Sequence, residues 1–139
     1  MPVVIYIFLI AILIIFIKKT DFNLTGYTYY FDEENTVLTI EEGYLNKEVN
    51  HVIYNVQDHS NAAKALLIIL PINKAYQLWM VTIIFLTFYL SCIFFIIFSE
   101  KLRLYLGLYL LFLIVFILGD LYIHKELIEE ISNTLDKLI

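Results

Sequence analysis

The chain has little of what most soluble enzymes and nucleic-acid-binding proteins use. Its 139 residues include one cysteine, two prolines, four glycines and one tryptophan. The single cysteine, Cys92, excludes an internal disulfide and leaves the redox compartment open. Nine basic residues stand against fourteen acidic ones, giving a net charge of −5. This balance argues against a nucleic-acid partner, because binding to phosphates needs clustered lysine and arginine.

Catalytic and ligand-binding motifs are also missing from the sequence. It contains no glycine-rich phosphate loop, no nucleophile elbow and no pair of carboxylates that a cleft brings together. His51, Asp58 and His59 have the side chains of metal ligands, but their spacing fits no zinc pattern. A haem between helices needs a histidine deep inside an apolar run, whereas His124 lies at the edge of one. We therefore expect no enzyme activity, no metal and no cofactor.

Apolar residues are what the chain has in abundance. They make up 61% of it, charged residues make up 17%, and the mean hydropathy is +0.81. A soluble domain of this size cannot bury so much apolar surface, so the lipid bilayer is predicted to solvate much of it. The bias toward isoleucine, leucine, phenylalanine and tyrosine is typical of an AT-rich genome, as in an organelle or an AT-rich bacterium.

Two long apolar runs, Tyr76–Phe98 and Leu104–Ile123, are joined by the short polar turn Ser99–Arg103. Each run has about the length that an α-helix needs to cross a hydrocarbon core of roughly 30 Å. The turn is too short for anything but an antiparallel connection. Residues 75–123 are therefore predicted to form a transmembrane helical hairpin.

Residues 1–19 are predicted to form a first transmembrane helix, with an apolar run that ends at Lys18 and Lys19. The alternative is a cleaved signal peptide. Against it, no basic region precedes the run and no small-x-small cleavage site follows it. The two lysines are expected to snorkel to the membrane interface.

The next segment, residues 20–60, is polar and acidic. Thr25–Phe31 and Thr36–Ile40 alternate in polarity on either side of the turn Asp32–Asn35, which predicts a β-hairpin. A further alternating stretch over Tyr44–Val56 predicts a third strand. An antiparallel meander this small is marginally stable alone, so we expect it to pack on a partner or on the membrane surface.

Residues 61–74 are predicted to form an interfacial helix that ends in a turn at Pro71–Lys74. Proline disrupts a helix interior, and a helix that continued into the next run would be far longer than a bilayer is thick. Tyr76 and Trp79, at the start of the hairpin, suit the headgroup level and are the candidate interface anchors.

The last segment, residues 124–139, is predicted to be an amphipathic helix. Its apolar stripe holds the candidate partner-docking residues, which are Leu127, Ile131, Leu135 and Leu138. Two interpretations stay open. The stripe lies on the membrane interface or on the protein's own loop, or it docks another subunit.

Asp120 and His124 are the candidate intramembrane polar site. Asp120 is the one acidic residue inside an apolar run, and His124 follows one helical turn later on the same face. An ionisable residue in a span is costly, and it is a candidate for a proton or ion pathway. Because Asp120 lies near the boundary of its run, anchoring or an interhelix hydrogen bond is the favoured role. The hydroxyls of Thr87 and Ser91 are expected to bond to their own helix carbonyls or to a neighbouring helix.

The predicted fold class is an all-α transmembrane protein with three membrane-spanning helices. A small antiparallel β-meander joins helices 1 and 2, and an amphipathic helix ends the chain. Three crossings place the acidic loop and the C-terminus on one side. That side carries more of the basic residues near the membrane, so the positive-inside rule favours the cytoplasm or matrix for it. These residues are Lys18, Lys19, Lys74 and Lys125, against Lys101 and Arg103 opposite.

This layout resembles that of the small three-helix subunit of respiratory complex I. That subunit's loop cysteine motif and the acidic residue of its second span are absent here, so nothing is carried over from it. The sequence predicts an accessory subunit of a larger membrane complex, which contacts lipid and other membrane subunits. The suggested host is a respiratory or ATP-synthase type assembly, in a mitochondrial or other organellar inner membrane or a bacterial cytoplasmic membrane. The alternatives are a transport or proton-conducting component that uses Asp120, and a sensor or immunity-type protein whose loop binds a ligand.

Overall fold

Three long helices and one small sheet make up the described chain, which in this computed structural model comprises residues 2–44 and 49–138. All three helices are long and apolar enough to cross a membrane. The elements in chain order are α1 (Pro2–Thr20), β1 (Tyr27–Phe31), β2 (Val37–Glu42), β3 (Val49–Tyr54), α2 (His59–Phe98), a short 3-10 turn (Arg103–Tyr105) and α3 (Leu106–Leu138). The predicted combination of three apolar helices with a β-meander is confirmed.

The sheet has the strand order β1-β2-β3, and both strand pairs are antiparallel. Its first turn is held by Asp32, whose carboxylate accepts the backbone N–H of Thr36 at 2.6 Å and of Val37 at 2.9 Å. The Thr36 hydroxyl donates to the same carboxylate, and these bonds hold the pKa of Asp32 below its ordinary value. The turn thereby fixes the register that pairs Phe31 with Leu38. Of the third strand predicted over Tyr44–Val56, residues 45–48 lie outside the described residues.

Helix α2 is continuous through Pro71, so the predicted turn at Pro71–Lys74 and the separate helix over residues 61–74 are wrong. A proline inside a helix costs about 3 kcal/mol, because it removes one backbone hydrogen bond and crowds the preceding turn. Pro71 nevertheless lies within a buried stripe at helical spacing. Full burial of an isoleucine contributes about 1.5–3 kcal/mol, and this stripe contains two of them. The stripe comprises Ala65, Ile68, Ile72 and Ala75.

Both α2 and α3 extend well beyond the length of a single membrane crossing. At 1.5 Å per residue, the 40 residues of α2 span about 60 Å and the 33 residues of α3 about 50 Å. Their extensions lie together and carry the sheet. We call the head the sheet with its flanking segments (residues 21–44 and 49–58), residues 59–75 of α2 and residues 124–138 of α3. We call α1, residues 76–98 and residues 106–123 the span region.

The head has one hydrophobic core, made by the inner face of the sheet and the two helix extensions. Leu127, Ile131 and Leu135 of α3 are fully part of it, and Leu138 packs against it. The prediction that these four residues dock another subunit is therefore wrong, because the chain's own sheet covers them. The alternative, a helix that lies on the protein's own loop, is the one observed.

Tyr27 shows how closely the sheet and α3 pack. Its hydroxyl lies close to the side chains of both Glu42 and Ser132. Burial raises the pKa of Tyr27, and the nearby Glu42 carboxylate raises it further. Strand β1 and helix α3 are thus in side-chain contact across the core.

Candidate functional site

Asp120 lies where α3 leaves the head, opposite Thr82 of α2. The Thr82 hydroxyl oxygen is 2.5 Å from Asp120 Oδ1. The two residues are equidistant in sequence from Lys101, in the turn between α2 and α3, so an antiparallel hairpin places them side by side. Thr82 is 6% exposed and the Asp120 side chain 12%. The contact therefore joins α2 to α3 at a position with little exposure to solvent.

Thr82 has a second acceptor within reach, the carbonyl oxygen of Leu78 at 3.0 Å. A hydroxyl carries one hydrogen, so Thr82 donates either to Leu78 or to Asp120. When Thr82 donates to Leu78, the bond to Asp120 uses a hydrogen on the carboxyl group. When the carboxylate is ionised, Thr82 donates to it instead. The geometry thus accommodates both protonation states of Asp120.

His124 is almost completely enclosed, with 1% of its surface exposed. Its Nδ1 lies 2.9 Å from the backbone oxygen of Asp120 and 3.4 Å from Oδ2 of the same residue. The shorter distance assigns an Nδ1–H that donates to the carbonyl. Nε2 is buried and has no hydrogen-bond partner among the described residues. The structure thus brings the two predicted site residues together, with His124 one helical turn after Asp120 in α3.

Trp79 joins this site to the end of α1. Its ring meets His124 edge-on with centroids 6.2 Å apart, and it meets Phe22 at 5.7 Å. The indole N–H donates to the carbonyl oxygen of Phe22 at 3.1 Å. The Trp79 N–H, predicted to anchor at the headgroup level, is therefore occupied inside the chain. Tyr76, the other predicted anchor, is exposed.

Asn23 fixes the path from α1 into the sheet. Its buried Oδ1 accepts the backbone N–H of Thr25 at 3.0 Å and of Gly26 at 2.8 Å, and also the Thr25 hydroxyl. Its Nδ2 donates to the carbonyl oxygen of Tyr27 at 2.8 Å. Phe22, Asn23 and Thr82 were not among the predicted site residues. A signal for Thr82 exists in the sequence, since it is the hydroxyl that mirrors Asp120 across the hairpin.

A cleft of about 310 Å³ opens beside Asp120 between α2 and α3. Thr82 and Asp120 supply its polar groups, and Gly119 leaves one wall without a side chain. Apart from its chain neighbours and the backbone of its own helix, a Cβ built on Gly119 meets no atom within 4 Å. The remaining wall is apolar and consists of Leu78, Val81, Phe85, Val115, Phe116 and Ile123.

The hydroxyls of Thr87 and Ser91 in the α2 span bond to their own helix, as predicted. Thr87 donates to the carbonyl oxygen of Ile83 at 2.6 Å, and Ser91 donates to that of Thr87 at 2.8 Å. Tyr109 of α3 donates to the carbonyl oxygen of Tyr89 across the hairpin at 3.2 Å. These hydrogens are satisfied by the chain itself, as a low-dielectric surrounding requires.

Within residues 2–44 and 49–138, no three side chains of histidine, cysteine, aspartate or glutamate are grouped to hold a metal ion. His51 instead faces Glu42 across the sheet, with Nε2 3.8 Å from Oε2. Comparison with protein-family models, with curated proteins and with solved structures finds no match for this chain. The role of each site residue is therefore inferred from its contacts.

Proposed function

We propose that this chain is an integral membrane protein with three crossings that acts as an accessory subunit of a larger membrane assembly. The observation that carries the proposal is the use of polar side chains in the span region. Thr82 and Asp120 bond to each other, and Thr87 and Ser91 bond to their own helix. The Thr82–Asp120 bond holds α2 to α3, the other two hydroxyls are satisfied within α2, and the span region is left as an anchor for the head.

Membrane insertion is supported by the apolar surface of the helices. Windows of 18 residues in α1, α2 and α3 reach mean hydropathies of 2.5, 2.6 and 2.4. Only 6% of the window residues in α1 and in α3 are buried inside the chain. Contiguous apolar surface of this extent is not stable in water, and lipid is the surrounding that suits it.

Contact with other subunits is supported by the outer face of the sheet. Tyr30 and Tyr54 project there and are 50% and 66% exposed. Tyrosine is enriched at protein interfaces, because it combines a large apolar ring with a hydrogen-bonding tip. Strand β1 is an edge of the described sheet and contains no charge or proline that blocks strand addition. This face replaces the C-terminal helix as the proposed docking surface.

The orientation follows from where the charges lie. The acidic loop and the C-terminal helix form the head together, as three crossings require. Four lysines lie at the head end of the helices, against Lys101 and Arg103 at the hairpin turn. The positive-inside rule therefore favours the cytoplasm or matrix for the head. A respiratory or ATP-synthase type assembly remains the proposed host.

The test is the mass of the protein purified in a mild detergent, measured by light scattering and by mass spectrometry of its components. We expect a particle with other subunits in fixed ratio. The double substitution Tyr30→Glu and Tyr54→Glu is expected to release the chain as a monomer. Tyr105→Glu is the matched control, because Tyr105 is equally exposed but lies at the hairpin turn. A monodisperse monomer of the unaltered chain contradicts the proposal.

A second candidate is a transport or proton-conducting component. It is favoured by one observation, that the Thr82 contact accommodates Asp120 with or without a proton. Asp120→Asn separates the two candidates. Loss of proton or ion flux with the assembly intact supports conduction, whereas unchanged flux supports the accessory role.

A further inference from the structure

We propose that the cleft between α2 and α3 binds a membrane phospholipid that carries a primary ammonium head group, with Asp120 as the counter-charge. The proposal rests on the membrane insertion proposed above and goes beyond the accessory role. Three features of the cleft support it, namely unused acceptor sites, the absence of a cation from the chain, and the shape of the wall.

The first feature is the spare hydrogen-bonding capacity of Asp120. An ionised carboxylate accepts about four hydrogen bonds. Thr82 uses one site on Oδ1, and His124 Nδ1 is 3.4 Å from Oδ2 with its hydrogen assigned to the backbone carbonyl. The sites that remain open belong to a side chain that lines the cleft. A donor in the cleft would therefore find unoccupied acceptors.

The second feature is the missing counter-charge. In the described chain the ion-pair contact of Asp120 is with His124, and no lysine or arginine approaches the carboxylate. The nearest lysine in sequence, Lys125, faces Glu129 instead. A carboxylate surrounded by apolar groups is costly without a cation. A ligand ammonium supplies both the charge and three N–H donors.

The third feature is the shape and polarity of the wall. Apolar side chains lie on both sides of Asp120 along the helices, with Leu78 and Ile123 toward the head and Phe85 and Val115 toward the hairpin turn. An acyl chain fits the side toward the turn, in the middle of the span. The polar group of the lipid then enters from the end of the cleft that is nearest the sheet, where Lys18 and Lys19 mark the end of the α1 run.

These features favour ethanolamine lipids over the other common classes. A quaternary choline nitrogen has no N–H to donate to Asp120. An anionic head group without an amine is repelled by the carboxylate. A phosphatidylethanolamine has the donor, the charge and the acyl chain in one molecule.

The test reconstitutes the full chain into nanodiscs with equal amounts of phosphatidylethanolamine and phosphatidylcholine. Native mass spectrometry then counts the lipids that stay bound on release. We expect phosphatidylethanolamine to be retained about tenfold over phosphatidylcholine, as one charge-assisted hydrogen bond predicts. N-acetylated phosphatidylethanolamine, which lacks the ammonium, is expected to be retained no better than phosphatidylcholine.

Two variants locate the site. Asp120→Asn keeps a partner for Thr82 but removes the charge, and Gly119→Val places a larger side chain in the cleft while the Asp120 carboxyl group is kept. Both are expected to abolish the preference. Gly107→Val is the control for the second variant, since its added Cβ also meets open space in the same helix. Glu129→Gln is the control for the first, since it removes an exposed carboxylate outside the cleft.

Equal retention of the two lipids by the unaltered chain overturns the lipid site, and so does a preference that survives Asp120→Asn. A preference that Gly107→Val removes as completely as Gly119→Val also counts against the cleft. Failure of the chain to enter nanodiscs at all contradicts the membrane insertion itself, which is a separate result from loss of lipid preference.

Discussion

The head and the span region bury their side chains in different ways. In the head, Leu38, Ile40, Ile68 and Ile131 are enclosed by the sheet and by the two helix extensions. In the span region, most side chains of α1 and α3 face away from the chain. Hydrophobic burial within the chain therefore stabilises the head, whereas the span region depends on the phase around it. One chain thus combines two stability regimes, and α2 belongs to both.

The head and the span region also differ in how their polar groups are hydrogen-bonded. The head uses dense clusters of side-chain to backbone bonds, such as those of Asn23 and Asp32. The span region uses single hydroxyls that bond to carbonyls of the same helix, together with two bonds between α2 and α3, those of Thr82 with Asp120 and of Tyr109 with the Tyr89 carbonyl oxygen. Four substitutions probe this contrast, in descending order of expected effect.

Ile131→Ala should show the contrast most strongly. Ile131 is fully buried in the head, and its truncation is expected to lower the free energy of unfolding of the head by about 2–5 kcal/mol. Leu118→Ala, in the same helix but 62% exposed in the span region, is expected to change it by less than about 0.5 kcal/mol. Denaturant titration in micelles measures both. Similar losses at the two positions would remove the distinction between the regions.

Asn23→Ala tests the polar clusters of the head. The substitution leaves the backbone N–H of Thr25 and the carbonyl of Tyr27 without their side-chain partners. We expect a loss of about 1–3 kcal/mol, the cost of unsatisfied buried groups. Asn50→Ala, at an exposed position in β3, serves as the matched control and should be nearly neutral. The same denaturant titration decides, and equal effects would contradict the role of Asn23.

Thr82→Val tests the bond between Thr82 and Asp120 in the span region. It removes the hydroxyl that meets Asp120, and a hydrogen bond between membrane helices contributes about 0.6–1.7 kcal/mol. Thr87→Val removes a hydroxyl that bonds within α2 and should cost less. Thermal unfolding in lipid, followed by circular dichroism, compares the two. If Thr87→Val is the more harmful, the bond of Thr82 with Asp120 does not stabilise the hairpin.

The smallest expected effect concerns the pH dependence of the first sheet turn. The pKa of Asp32 is held below its ordinary value of 3.8, chiefly by the Thr36 hydroxyl. The folded state thus prefers the ionised form, and this contribution to stability is present above pH 3.8 and is lost as the pH falls through the lower folded value. A carbon-13 NMR titration should place the Asp32 midpoint below 3.8, and Thr36→Val should raise it. A midpoint at or above 3.8 in the unaltered chain would contradict the turn geometry.

Local patterns predicted the elements better than they predicted what packs on them. Alternation in residues 25–31 and 36–40 was enough for the hairpin, because β-pairing across a short turn is local. The predicted turn at Pro71 was wrong because tertiary burial of the stripe through Ile68 and Ile72 outweighs the tendency of proline to disrupt a helix. That stripe keeps helical spacing across the proline, which is the sign that the helix continues.

The apolar stripe of α3 shows what sequence periodicity cannot predict. Leu127, Ile131 and Leu135 were recognised as one apolar face, but periodicity does not say whether that face meets its own chain or another. For the site, Asp120 and His124 are visible in the sequence as ionisable residues in or beside an apolar run. Trp79 was predicted as an interface anchor, but its bond to Phe22 was not predicted, because the acceptor is a backbone carbonyl and every residue type has one.

The continuity of α2 and α3 has a mechanical consequence. Neither helix is interrupted between its part in the span region and its extension into the head, so the two helices hold the sheet rigidly relative to the span region. The sheet is attached to the end of the hairpin that lies opposite the turn between α2 and α3. A thinner bilayer tilts transmembrane helices. If α2 and α3 cross the bilayer as proposed, such a tilt would rotate the sheet through the same angle, and bilayer thickness would then change the direction in which the exposed tyrosines Tyr30 and Tyr54 face.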